Sequence, residues 1–105
     1  MPIWATAPVT ESPTLVLITW RILETDKVER HFVGYNLTDR EGRVSTPIQQ
    51  FDVATLTGRT RSGRIYQLRG RPGVDADAAH VWYAWCRAND VKRWHDVTEK
   101  ARAGQ

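Results

Sequence analysis

Residues Thr14 to Leu23 read "TLVLITWRIL". Side chains on a strand alternate between two faces. One parity gives Val16, Ile18, Trp20 and Ile22; the other gives Leu15, Leu17, Thr19 and Arg21. Both faces start apolar. A strand that is apolar on both sides is covered on both sides, so this stretch predicts the central strand of a sheet.

The neighbouring segments extend that sheet. "ETDK" turns the chain after Leu23. "ERHFVGYNL", Glu29 to Leu37, alternates with His31, Val33, Tyr35 and Leu37 on one parity. "TDREG" is a turn signal, because Asp and Gly tolerate unusual backbone angles. "RVSTPIQQFDV", Arg43 to Val53, reads as one further strand. Pro47 cannot donate to a ladder, which places that strand at an edge or at a bulge. "LTGRT" and "RIYQLR" flank Ser62-Gly63, the signature of a tight hairpin. Residues 14–69 therefore predict an antiparallel meander.

After "GRPGV" the period changes from two to 3.6. Asp75 is a good N-cap, and Asp77 suits the first turn. At 100° per residue, Ala78, Val81, Trp82 and Trp85 share one face, with Cys86 at its border. Asn89 is read as a left-handed C-cap. "VKRWHDV" resumes alternation, as a last strand or as irregular chain. "TEKARAGQ" reads as a polar tail, with or without a frayed turn of helix. The expectation is an α+β domain: an antiparallel sheet of about five or six strands with one amphipathic helix packed on one face. Its domain spans residues 14–98, between a flexible arm at 1–13 and a tail at 99–105. Trp4 and the prolines Pro2, Pro8 and Pro13 lie in that arm.

Composition narrows the function. The chain has 105 residues, 41% hydrophobic and 26% charged, which is globular and not disordered. A chain of this size buries roughly 60–65% of its unfolded surface, enough for one core without staples. A single cysteine, Cys86, excludes an internal disulfide and fits a reducing cytoplasm. The N-terminal "MPIWATAPVTESPT" lacks a basic start and a long apolar run, so no signal peptide is expected. No stretch approaches the ~18 apolar residues of a membrane span. "NLT" at Asn36 to Thr38 matches a glycosylation sequon by chance on this reading.

The net charge is +3, and its placement is uneven. Between Val53 and Val74 lie Arg59, Arg61, Arg64, Arg69 and Arg71, with no lysine and no acid. The window carries +5, which leaves −2 for the rest. Such a patch attracts nucleic acid or an acidic protein surface. Arginines at a hairpin tip beside Tyr66 fit phosphates and one stacked base. The plainer reading is a solvated hairpin whose arginines discourage strand pairing. "RGRPG", Arg69 to Gly73, also matches the core of an AT-hook, which lays arginines along a narrow minor groove. It departs from that pattern at Leu68 before the core and at Gly73, Val74 and Asp75 after it. The competing reading is a strand-to-helix loop. On the outer helix face, His80, Tyr83 and Arg87 form a second candidate surface or a plain solvent face.

Other chemistries find little support. Cys86 and His80 lie on different sides of the helix, so they form no nucleophile–base pair there. His31, His80, His95 and Cys86 lack metal-ligand spacing, and "TDREGR" is too short for an EF-hand loop. There is no P-loop, dinucleotide fingerprint or nucleophile elbow. The expectation is no enzyme, catalytic residue, cofactor, metal, membrane contact or small-molecule ligand. The chain is read as a monomer or a homodimer. Assembly through a sheet edge is the alternative function.

"HFVGYNLTDREGRVS", "TRSGRIYQLRGRPGVDADA" and "WCRAND" together resemble small uncharacterised proteins of proteobacterial genomes, often encoded near mobile elements. The resemblance covers about residues 14–98 and implies a bacterial, cytoplasmic accessory protein. It carries no functional residue over.

Overall fold

The computed structural model describes residues 14–105; the expected arm and Trp4 lie outside the described residues. The elements are β1 (Thr14–Thr25), β2 (Arg30–Asn36), β3 (Glu41–Val44), β4 (Ile48–Asp52), β5 (Thr57–Thr60) and β6 (Ile65–Leu68). They are followed by α1 (Ala76–Ala88), β7 (Trp94–Asp96) and α2 (Thr98–Arg102). The strand order is β3-β2-β1-β6-β5-β4, with β7 also paired to β1. The class is α+β, and β1 is central, as its two apolar faces require.

The sheet is mixed and not wholly antiparallel. β1 runs parallel to β6, from Thr14↔Ile65 to Leu17↔Leu68. The other ladders are antiparallel. The simple meander fails because Arg43 to Val53 is not one strand. Ser45, Thr46 and Pro47 divide it into β3 and β4, which sit at opposite ends of the strand order. Six strands laid flat would hold the outer two roughly 24 Å apart. From Val44 to Ile48 the chain spans at most about 14 Å. The sheet must therefore curl. Its curl brings Phe32 of β2 to 5.7 Å from Phe51 of β4, ring centre to ring centre.

A bulge in β1 decides which side chains enter the curl. Ile18 pairs with Tyr35 and Arg21 with Val33, so β1 spends three steps where β2 spends two. Thr19 is the strained residue, at φ +46°. The extra residue reverses the parity. Leu15 and Leu17 come before it, Trp20 and Ile22 after it, and all four enter the inner core with Phe32, Tyr66 and Leu68. Leu23 and Val33 turn to the other face, where Ala78, Trp82 and Cys86 of α1 cover them.

α1 begins at Asp75, whose carboxylate accepts from the Ala78 N–H at 2.9 Å. The helix crosses β3 at Gly42. A Cβ there would stand 2.5 Å from the backbone of Asp77 and Ala78. At the other end Asn89 is the C-cap but has φ −107°; the left-handed residue is its neighbour Asp90, at φ +56°. Trp82 is fully buried, whereas Val81 and Trp85 are half-buried. "VKRWHDV" does contain a strand, β7, which extends the β6 side of β1.

The last residues differ from a free polar tail. Thr98 and Ala101 are buried. The Ile22 N–H donates to Thr98 Oγ1 at 3.0 Å, and Val97 and Ala101 join the inner core. Among the described residues no helix is long and apolar enough to cross a membrane.

Candidate functional site

The six residues expected to form the basic hairpin do not stay together. Alternation on β5 and β6 sends Thr57, Arg59, Ile65 and Gln67 outward, and Gly58, Thr60, Tyr66 and Leu68 inward. Tyr66 is 1% exposed, and its hydroxyl accepts from Arg43 Nε at 3.1 Å. It has no free face for a base. Arg64 is 7% exposed beside Arg43, and burial with that neighbouring charge draws its pKa down. Arg61 stays at the hairpin tip, where its guanidinium pairs with Glu29. Thr60 and Gly63 close the turn, with Gly63 at φ +86°.

Arg59, Arg69 and Arg71 remain exposed, and none makes an ion pair among the described residues. The outer face of β4–β5–β6 forms a shallow groove of about 560 Å³, lined by Gln50, Thr57, Arg59, Ile65 and Gln67. Asp52 also lines it, and its carboxylate accepts from the Ala54 N–H. Arg69 follows β6 with the outward parity. Among the described residues α1 packs on β2 and β3, away from this groove.

"RGRPG" is held as a loop. The Arg69 N–H donates to the Leu17 carbonyl, and the Gly73 N–H to the Trp20 carbonyl at 3.0 Å. The Trp20 indole N–H donates to the Gly70 carbonyl at 3.2 Å. These bonds tie the stretch to the β1 bulge. They oppose the free, extended conformation that a minor-groove hook adopts.

On α1, His80, Tyr83 and Arg87 are all exposed, and Tyr83 leans on Trp94 with ring centres 6.3 Å apart. Beneath the helix lies His31, whose parity on β2 with Val33 turns it toward α1. It is 0% exposed, 4.5 Å from Trp85 and 5.9 Å from Trp82, centre to centre. Its Nδ1–H donates to the Ser45 carbonyl at 2.7 Å, because a carbonyl can only accept. Nε2 then carries the lone pair in the neutral ring. Among the described residues neither that atom nor the Trp82 indole N–H has a partner. Burial lowers the His31 pKa, so the neutral ring is favoured. Two clefts, of about 350 and 390 Å³, lie on either side of the Glu29–Arg61 pair, and His31 borders the first. Its Nε2 is shielded from solvent there.

Cys86 is buried, and burial pushes its thiol up, the opposite of what activates a nucleophile. Among the described residues no His, Cys, Asp and Glu cluster could hold a metal ion. No family model, curated protein or solved structure matches this chain.

Proposed function

We propose that this protein is a non-enzymatic binding module that docks an acidic segment of a partner protein on the outer face of β4–β5–β6. One observation carries the reading. Arg59, Arg69 and Arg71 come from a window without acids, and they have no carboxylate partner among the described residues. Arg59 lines the open groove, and exposed arginines without ion pairs favour an anionic partner and speed its approach. Arginine suits carboxylates because its planar fork binds both oxygens. Nucleic acid is the weaker reading for this face, because Tyr66, the aromatic that would stack a base, is buried and bonded to Arg43.

Edge-to-edge assembly is also weaker. β4 follows Pro47 and has a register irregularity between Ile48 and Gln50, two devices that deter strand addition. The test is fluorescence anisotropy with a labelled polyglutamate peptide. Changing Arg59, Arg69 and Arg71 together to alanine should weaken binding about tenfold, since exposed charge pairs contribute about 0.2–1 kcal/mol each. Equal affinity of the variant and the parent protein would refute the proposal.

A further inference from the structure

Tyr83 is 56% exposed, and its hydroxyl makes no hydrogen bond among the described residues. The ring is nevertheless fastened. It rests on Trp94 at 58° between planes. Trp94 itself stands edge-on to the buried Trp82, 5.8 Å away at 89°. The Arg21 guanidinium lies over Trp94, 5.9 Å from its ring centre. Pairing of Trp94 with Thr25 anchors the backbone. An exposed ring held in place loses little freedom when a ligand stacks on it.

Two polar side chains flank that ring on α1. Arg87 lies one helical turn after Tyr83 and His80 one turn before it, both exposed. Of the acids nearby, Asp90 pairs with Lys92, while Asp96 accepts from the Thr98 N–H and keeps its charge. The Tyr83–Trp94 pair thus offers an aromatic face beside two guanidinium groups, Arg21 and Arg87. An acidic side chain supplies the charge but has no flat ring. A nucleotide with its base unstacked supplies both, and a duplex keeps its bases inside.

We propose that Tyr83, Trp94, Arg21 and Arg87 form a second binding surface, for single-stranded nucleic acid. One base stacks on Tyr83, and flanking phosphates meet Arg87 and Arg21. This surface shares no residue with the arginine groove and does not depend on it.

The probe is a labelled oligothymidylate of about 12 nucleotides, within the ~4–16 that single-strand sites occupy. Binding should be saturable at low salt and should quench tryptophan emission. Y83L, which retains an apolar side chain against Trp94, should bind roughly five- to 150-fold more weakly. Y83F keeps the ring and should bind within about twofold of the parent. R87Q should reduce the salt slope by about 0.7. The variant lacking Arg59, Arg69 and Arg71 should still show the loss on Y83L, which separates this surface from the groove. Absence of saturable binding at low salt overturns the proposal. So does equal affinity of Y83L and the parent, or polyglutamate binding with the same dependence on Tyr83.

Discussion

Replacing Gly42 by alanine adds one methyl group at the point where α1 crosses β3. The new Cβ would lie 2.5 Å from Ala78 N and from Asp77 C and O. These are backbone atoms, so no side chain can rotate away. The helix start must lift, or β3 must sink. Overpacking a tight interior costs about 1–3 kcal/mol. A clash with backbone belongs at the upper end. Against this stands a gain of about 0.4–1 kcal/mol, because alanine restricts the unfolded chain more than glycine does. The net loss is about 2–3 kcal/mol, or a fall in Tm of roughly 8–15 °C for a domain of this size. Thermal unfolding followed by circular dichroism measures it. Gly63 provides the contrast: a Cβ there meets nothing within 4 Å, but φ is +86°. Gly63→Ala should cost only about 1–2 kcal/mol, from left-handed strain. A melt of Gly42→Ala that coincides with the parent would refute direct contact between the helix and Gly42.

Val28 is 80% exposed at φ +59°, a costly conformation for a β-branched residue. Val28→Gly should raise stability by about 0.5–1 kcal/mol, the strain relieved less the entropy glycine adds; a destabilised variant in urea titration would contradict that. Burial holds the His31 pKa below its usual 6.5. The unfolded chain therefore binds the extra proton more readily. The His31 contribution is complete above pH 6.5 and is lost as pH falls below it, by at most about 1.36 kcal/mol per pH unit. Urea melts across that range should show the slope, and His31→Phe should flatten it. Asp75→Ala removes the N-cap bond to Ala78 and should cost about 1 kcal/mol. Trp82→Ala should cost about 3–5 kcal/mol; a loss near zero would remove Trp82 from the core.

Much of the fold was legible because periodicity reports burial. Two apolar parities placed β1 at the centre, and the 3.6-residue period placed α1 and Trp82. Asp75 announced its cap, and Ser62-Gly63 announced the hairpin. The parallel β1–β6 pair was hidden, because it depends on where Ser45, Thr46 and Pro47 carry the chain. Local pattern does not encode which edge a strand joins. The bulge at Thr19 was hidden too, since a threonine in a β-branched run reads as ordinary strand. Plain alternation groups Trp20 and Ile22 with Val16 and Ile18, whereas the bulge sets them on the face of Leu15 and Leu17.

The candidate site was less legible. Charge counting located the arginines, but charge does not reveal a partner. Glu29 lies thirty-two residues before Arg61 and meets it only through the curl. Arg43 reaches Tyr66 across the same fold. Alternation alone split the hairpin: Tyr66 and Arg64 share the inward parity, Arg59 and Arg69 the outward one. His31 carried a readable signal, its parity with Val33 toward the helix, but its unpartnered Nε2 required the position of Trp82.

Nitrogen–proton correlation spectra recorded during titration with polyglutamate test the proposed function most directly. Saturable shifts are expected at Arg59, Ile65, Gln67 and Arg69, with the amides of α1 unmoved. Shifts confined to α1, or spectra that do not change at low salt, would contradict it.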